Sequence, residues 1–242
     1  MRTLNELTDV DRPAWPELSE ELGAAAVPVE VLPADPALAR ASLLQLQVTA
    51  RSYLGAVVLH CGGLLLDDGW LRVLGSPAPD RSRGLPGLAR ANAFPAAFDP
   101  DWRPDAGLVV AYDVLGGVFA LNGARPADSG RPGGPGEIVY YAPDVLRWEA
   151  LGAGHSAWLS WLLSGALDQF YADLRWPGWR EEVAELNGGR GLSLHPPLWS
   201  AEGRGDLAAT SRRAVPLAEL LGIGRETARQ FDGADPGFMG TV

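Results

Sequence analysis

The side chains best suited to chemistry lie close together in the sequence, between His60 and Arg72. Asp67 and Asp68 are adjacent carboxylates, a pair that can exchange protons with a substrate or bind a divalent cation. Gly69 follows them directly. The three residues are also typical of a tight turn, because aspartate bonds its own backbone and glycine supplies a positive φ. The turn is the simpler interpretation.

The histidines and the single cysteine show no metal-binding spacing. His60 and Cys61 are adjacent, so a strand would point their side chains to opposite faces, and the other two histidines are far away in the sequence. A zinc site needs three or four converging ligands. We therefore predict a partly buried histidine, a small buried cysteine and no metal site.

Residues 154–158 begin like the G-x-S-x-G turn that carries the nucleophile of serine hydrolases. The fifth residue is Trp158, whereas the strained turn needs a small residue there, and no buried apolar strand is predicted before it. Ser156 is better explained as the N-cap of an apolar helix over residues 157–163. No catalytic residue is predicted in the chain.

Tryptophans cluster in the second half of the chain, at positions 148, 158, 161, 176 and 179. Trp158 and Trp161 are three residues apart on one predicted helix, so they share a face. Packing of this helix onto a sheet explains them most simply. An exposed aromatic patch, a common anchor of protein interfaces, is the alternative.

The composition is that of a globular protein of 242 residues with a net charge of −10. This charge disfavours binding to nucleic acids and to anionic membranes. Every basic residue is arginine, which excludes phosphate-loop and Schiff-base lysines. With one cysteine, no signal-peptide pattern and no apolar run near the ~20 residues of a membrane span, we predict a cytoplasmic protein without a cofactor.

Hydrophobic patterning predicts an α+β fold, with a mixed or antiparallel sheet packed with several helices. Two hairpins are expected. The first joins residues 64–66 to 70–74 through the aspartate turn, and the second joins residues 108–113 to 117–122. Further strands are expected over residues 27–32, 138–141 and 192–195. Residues 1–189 are predicted to form the main domain, with a small α/β appendage over residues 190–242.

Several local signals predict where helices begin and end. Thr3 with Glu6 is a capping box, and Asp35 before Pro36 is an N-cap. Other expectations concern particular segments: an apolar stripe of Leu38, Ala41 and Leu44; a helix or strand over 52–61 that ends at Gly62 and Gly63; a long excursion over 76–106; and a loose end over 232–242.

One block of sequence, GGLLLDDGWLRVLG at residues 62–75, is accompanied by DRPAWP at 11–16, YYAPD at 140–144 and WLSW at 158–161. In their order along the chain, these four blocks resemble the bacterial "domain of unknown function 2625" family, and the resemblance extends over nearly the whole chain. That resemblance implies no catalytic residues. The layout is also similar to the SUKH superfamily, which implies a role as an immunity protein against bacterial toxins or as a protein-interaction module.

Three hypotheses about function follow from these observations. The leading hypothesis is a non-enzymatic module, immunity-like, that binds a toxin-like or basic protein through Asp67, Asp68, Trp70 and Arg72, because the turn would present charge beside an aromatic ring. The alternative is a small-ligand-binding protein or enzyme in which His60 joins the polar residues of the turn around a cleft. A homo-oligomer built on the tryptophan-rich helices is a third option, and the oligomeric state is left open.

Overall fold

The structure is a computed structural model that describes residues 1–76, 84–233 and 235–242. Within these residues, seven strands form one antiparallel sheet whose spatial order follows the sequence from β1 to β7. The strands are β1 (Val29–Pro33), β2 (Cys61–Leu66), β3 (Leu71–Leu74), β4 (Gly107–Asp113), β5 (Val118–Asn122), β6 (Glu137–Ala142) and β7 (Arg147–Gly154). The predicted α+β fold and both hairpins are confirmed.

The turn between β2 and β3 uses backbone angles that few residues adopt. Asp67 and Asp68 have φ values of 53° and 57°, and Gly69 has a φ of 86°. Aspartate tolerates this left-handed region better than most residues do. Consecutive left-handed residues produce a turn whose twist matches that of the flanking strands, so Leu66 lies opposite Leu71.

The segment predicted over residues 52–61 is a helix that ends at His60, close to its predicted end, but Gly62 and Gly63 lie inside strand β2 and do not form a break. The helix before them runs directly into β2. A Cβ atom on Gly63 would lie 2.4 Å from a methyl carbon of Leu85 and 3.0 Å from the carbonyl oxygen of Val73. Glycine is needed at this position because the neighbours approach closely, not because the chain must break.

Helices flank the strands along the chain. They are α1 (Leu4–Thr8), α2 (Trp15–Gly23), α3 (Pro36–Leu46), α4 (Tyr53–His60), α5 (Leu88–Ala91), α6 (His155–Leu163), α7 (Leu167–Phe170), α8 (Trp179–Ala184), α9 (Ala201–Gly205) and α10 (Leu217–Asp232), with 3₁₀ turns at Pro126–Ser129, Ala172–Leu174 and Leu207–Ala209. The capping box of Thr3 and Glu6 and the N-cap Asp35 are confirmed.

The buried face of α3 is not the predicted one. Leu38 is 48% exposed, whereas Ala39 and Leu43 are fully buried. Leucine and alanine occupy several faces of this helix, so the sequence offers more than one apolar stripe. Which stripe is buried depends on the contacts of α3 with α1 and α4.

Two strands have no counterpart in the sequence predictions. The first is the edge strand β7, which is largely exposed and therefore lacks a regular apolar alternation. The second is β9 (Ser211–Pro216), which pairs with β8 (Arg190–His195) in a separate two-stranded antiparallel sheet. A ladder of backbone hydrogen bonds, rather than side-chain pattern, defines both strands.

The described residues from 190 onward pack against the main sheet. Leu192 and Leu217 belong to the same buried core as the strands, and the Leu192 amide donates to the carbonyl of Val114 at 2.7 Å. The domain boundary after residue 189 stays a prediction. Residues 77–83 of the predicted long excursion lie outside the described residues.

The C-terminal end is held in place, so the prediction that it is loose is wrong for residues 235–242. The indole N–H of Trp148 donates to the Pro236 carbonyl at 2.8 Å. Met239 is fully buried, and the amide of Thr241 donates to the carbonyl of Ala91 at 2.9 Å. These distant partners are not visible in a local sequence pattern.

Candidate functional site

The two carboxylates of the β2–β3 turn are engaged by arginines. Asp67 is fully buried and forms ion pairs with Arg175 and with Arg180, the latter at 2.5 Å. Arg180 also binds Asp68, with Nη1 2.7 Å from Oδ2. Asp68 keeps 36% of its side chain exposed. The paired carboxylates therefore serve to fix the turn to the segment that precedes and begins α8.

Trp70 is fully buried, so the expectation that the turn presents an aromatic ring beside its charges is wrong. The ring centroid of Trp70 lies 5.4 Å from Tyr171, 5.8 Å from Trp176 and 5.0 Å from Trp179. The guanidinium of Arg175 lies 4.1 Å from the centroid of the Trp179 ring. Core packing, the simpler interpretation of the tryptophan cluster, holds for these rings.

Arg72 is also buried, with its Nε donating to the carbonyl of Gly69 and its Nη1 to that of Gly188, both at 3.0 Å. Burial lowers the pKa of the Arg72 guanidinium to about 10. Arg72 and Asp68 line one cavity of about 350 Å³ beside β1 and the end of α8. This cavity is called the hairpin cavity below.

His60 lies away from the hairpin cavity. It ends α4, whereas the turn lies at the other end of β2, about 20 Å along a strand of six residues. Its ring stacks on Trp15 with centroids 4.6 Å apart, and partial burial lowers its pKa. Of the five predicted binding residues, the structure therefore brings Asp68 and Arg72 to a shared cavity. Asp67 and Trp70 are fully buried in the same turn and do not line this cavity. The role of all five residues in binding stays a prediction.

A larger cleft, of about 710 Å³, lies where α2 faces the starts of α4 and α6. We call it the helical cleft. It is richer in polar side chains than the hairpin cavity: the lining includes Glu17, Glu21, Arg51, Ser52, Tyr53, His155, Ser156 and Ser160. Three separate stretches of the chain contribute these groups.

Glu21 is the shared hydrogen-bond acceptor of two hydroxyl groups in the helical cleft. One of its carboxylate oxygens accepts a 2.7 Å hydrogen bond from the hydroxyl of Tyr53, and the other accepts a 2.8 Å bond from that of Ser160. Burial, reinforced by Glu21, raises the pKa of Tyr53, so this phenol stays protonated. The network holds the carboxylate at a set position between the three helices.

His155 is the unusual side chain of the helical cleft. It is 9% exposed, and its Nδ1 is buried with no hydrogen-bond partner among the described residues. Burial lowers its pKa to about 4, so the ring is neutral at physiological pH. Native proteins rarely leave a buried polar atom unpaired without a functional or structural reason.

Helix α6 begins at His155, two residues earlier than the sequence predicts, and its N-cap Gly154 provides no side-chain hydrogen bond. The prediction that Ser156 is the N-cap is therefore wrong. The first N–H groups of a helix have no acceptor within the helix, so an uncapped start exposes donors. The first three residues of α6, His155, Ser156 and Ala157, line the helical cleft.

The helical cleft could not be predicted from the sequence, because its parts are far apart in the chain. Glu21, Tyr53 and Ser160 come from α2, α4 and α6, and no spacing links them. The one available signal was the polar pair His155 and Ser156 at the start of an otherwise apolar helix. The same pair is equally typical of a helix N-cap.

The described residues contain no group of three or more His, Cys, Asp or Glu side chains able to hold a metal ion. Among the same residues, no helix is both long enough and apolar enough to cross a membrane.

The fold and its clefts define an α+β protein built on a sequential antiparallel sheet. The chain belongs to the family described as "Protein of unknown function DUF2625", whose model matches residues 4–220. The expected family is thus confirmed, whereas these matches give the resemblance to the SUKH superfamily no support.

Two relatives are similar over most of their length. The chain is 40% identical over 224 residues to the "Putative uncharacterized protein YbfG" of Escherichia coli, which covers 91% of this chain and 94% of that protein. It is 34% identical over 198 residues to an "Uncharacterized protein" of Haemophilus influenzae, covering 82% and 83%. No solved structure matches.

Proposed function

We propose that this chain is a small-ligand-binding protein whose ligand occupies the helical cleft. The observation that carries the proposal is His155, a buried imidazole with an unpaired nitrogen at the uncapped start of α6. The cleft volume of about 710 Å³ lies within the range of known ligand pockets. Polar groups from three helices converge on it, as expected for a site that orients a small molecule.

Binding is favoured over catalysis by the state of the candidate nucleophiles. Ser160 and Tyr53 donate their hydroxyl hydrogens to Glu21. The described residues give Ser156 no hydrogen-bonded base. A serine nucleophile needs an adjacent base that is itself oriented by a third group. We therefore assign no catalytic residue and no cofactor to the proposed function.

A thermal-shift screen with a collection of small metabolites tests this function. A ligand present at 100 times its Kd should stabilise the protein by about 2.7 kcal/mol and raise its Tm. The variant His155→Phe keeps the ring volume but removes both nitrogens, so we expect its affinity for such a ligand to fall at least tenfold.

The matched control is His60→Phe, which makes the same chemical change outside the helical cleft and keeps a ring against Trp15. This control should bind like the wild type. Equal affinity of the wild type and both variants would show that the ligand binds elsewhere, and would contradict the proposal.

The hairpin cavity supports the second candidate function, binding of a basic protein partner, including an immunity-like role against a toxin. The favouring observation is Asp68, an exposed carboxylate at the rim of the cavity in a chain of net charge −10. Asp68→Asn should weaken such a partner's binding, whereas Asp9→Asn, at another exposed acid, should not. Unchanged binding of the partner by Asp68→Asn would remove the turn from this hypothesis.

We also propose a cytoplasmic location. The single cysteine, Cys61, is a free and buried thiol, and burial raises its pKa to about 12. An inert buried thiol suits a reducing compartment. Separation of cell fractions, followed by detection of the protein, tests this location directly.

A further inference from the structure

Arg72 is a buried cation to which the described residues supply no counter-ion. The residue is 1% exposed, yet its guanidinium forms no ion pair with any carboxylate of the described chain. Its three hydrogen bonds go to neutral backbone carbonyls, those of Gly69, Gly188 and Arg190. Burial of a charge is costly unless an opposite charge is also present, so the site lacks one anion.

One nitrogen of this guanidinium remains available. Nε and Nη1 make the three bonds, and Nη2 has no hydrogen-bond partner among the residues that the structure describes. Nη2 is not sealed from solvent, in contrast to Nε of Arg175, which is both buried and unbonded. Because Arg72 lines the hairpin cavity, the two N–H groups of Nη2 can donate to a molecule bound there.

The register of the sheet determines what shares the hairpin cavity with Arg72. Glu30 pairs with Leu65 and Leu65 pairs with Arg72, so the three side chains form one row on the same face of β1, β2 and β3. Neighbouring strands are about 4.8 Å apart, which separates the Cα atoms of Glu30 and Arg72 by roughly 10 Å. Leu65 therefore forms an apolar floor between the cation and the edge of the sheet.

The lining of the hairpin cavity is mostly apolar, and among the described residues it contains Arg72 as its single cation. Its apolar members are Pro28, Val29, Leu65, Ala184 and Leu186. Two carboxylates also line it: Glu30, at the far end of the row, and Asp68, whose charge is paired with Arg180. A cavity of about 350 Å³ with one uncompensated cation suits a ligand with a single negative charge on a short carbon chain. A dianion would carry one unmatched charge past two carboxylates.

We infer that the hairpin cavity binds a small aliphatic monocarboxylate, whose carboxylate accepts from Nη2 of Arg72 and whose carbon chain lies over Leu65. Hydrogen bonds between a guanidinium and a carboxylate are charge-assisted and stronger than those to neutral acceptors. This site is separate from the helical cleft, so the inference goes beyond the proposed function and does not depend on it.

Nuclear magnetic resonance titrations of the whole ¹⁵N-labelled chain test the inference. The probes are butyrate, its neutral counterpart butanamide, and inorganic phosphate, each raised to about 20 mM so that millimolar affinities are visible. We expect butyrate to shift the amide signals of Leu65, Gly69 and Gly188. We also expect it to bind at least tenfold more tightly than butanamide or phosphate, because only butyrate combines one charge with an apolar chain.

Several results of these titrations would overturn the inference. Absence of shifts at the three amides would mean that the cavity does not bind a carboxylate. Butanamide binding as tightly as butyrate would show that the charge of Arg72 is not used, and phosphate binding as tightly would show a simple anion site. Shifts confined to Ser156 and Ala157 would place butyrate in the helical cleft, which overturns this inference and leaves the proposed function standing.

The variant Arg72→Gln tests the cation directly. It removes the charge but keeps an amide that can donate to a backbone carbonyl, so the affinity for butyrate should fall at least tenfold, to that for butanamide. The affinity for butanamide itself should stay within about threefold of the wild-type value, since a neutral ligand gains little from the charge. An unchanged affinity for butyrate would contradict the inference.

A second variant leaves Arg72 in place, in case its replacement prevents folding. Ala184, an exposed lining residue at the end of α8, can be changed to phenylalanine to block the cavity. Ala184→Phe should also lower the affinity for butyrate at least tenfold. Ala37→Phe makes the same change at an exposed position of α3 outside the cavity and should bind like the wild type. Equal affinities of Ala184→Phe and the wild type would exclude the hairpin cavity as the site.

Discussion

The hydroxyl of Tyr140 on β6 donates a 2.8 Å hydrogen bond to Oδ2 of Asp113 at the end of β4. Asp113 is fully buried, and its other contacts are the Tyr171 hydroxyl at 3.2 Å and the amides of Leu115 and Gly117 at 2.9 Å and 2.8 Å. The side chain thus fixes the β4–β5 turn, strand β6 and the segment after α7 to one point. Burial raises the pKa of this carboxyl, and the four donors oppose that effect.

We expect Asp113→Asn to destabilise the protein by about 2–4 kcal/mol, because the amide nitrogen cannot accept the bonds that one carboxylate oxygen accepts. Urea unfolding followed by tryptophan fluorescence measures this change. Asp9→Asn, at an exposed position, is the control and should change the free energy of unfolding by less than about 0.5 kcal/mol. A near-neutral Asp113→Asn would mean that the four bonds contribute little.

Stability should fall as the pH is lowered from about 6.5 to about 4, and His155 should account for part of the fall. Its pKa is lowered by burial from 6.5 to about 4, so in this window the unfolded chain binds a proton that the folded chain does not. Stability therefore rises with pH between these values and is unaffected by this group above them. The full effect is about 3 kcal/mol.

The variant His155→Phe should remove this part of the pH dependence, which urea unfolding at a series of pH values measures. His195→Gln, at an exposed position, should retain it. If the wild type and His155→Phe have parallel stability curves between pH 4 and 6.5, the imidazole is not held neutral by burial.

Asp67→Asn should cost about 2–3 kcal/mol, because it removes the buried one of the two carboxylates that pair with the almost fully buried Arg175 and leaves only Asp168, which is 71% exposed. Asparagine adopts positive φ as readily as aspartate, so the variant tests the charge and not the turn. Asp68→Asn is the matched control, and at its exposed position it should cost less than about 1 kcal/mol. Comparable losses for the two variants, measured by chemical denaturation, would point to the backbone instead.

Gly63→Ala should destabilise the protein by about 2–3 kcal/mol, since the new methyl group would lie 2.4 Å from Leu85 at a backbone φ of +154°. Gly23→Ala provides the control, because no atom lies within 4 Å of a Cβ at that position. Alanine there should be neutral or stabilising by up to about 1 kcal/mol. Calorimetric Tm values of the two variants decide between close packing and chain flexibility as the reason for Gly63.

The sequence by itself determined the features that depend on neighbouring residues. The turn at Asp67, Asp68 and Gly69 and the caps at Thr3 and Asp35 follow from local backbone angles and short-range hydrogen bonds, so their residue types predict them. Short apolar runs on either side of a turn signal then identified the two hairpins. Hydrophobic patterning was sufficient for the α+β class but not for the order of the strands in the sheet.

Tertiary structure alone decided the features that depend on distant partners. The buried face of α3, the role of Gly63 and the fixed C-terminal end depend on which surfaces pack together. The helical cleft arises in the same way, because Glu21 and His155 meet only when α2 and α6 pack on each other and on α4. Burial then sets the charge of His155, and a short stretch of sequence carries no information about burial of that kind.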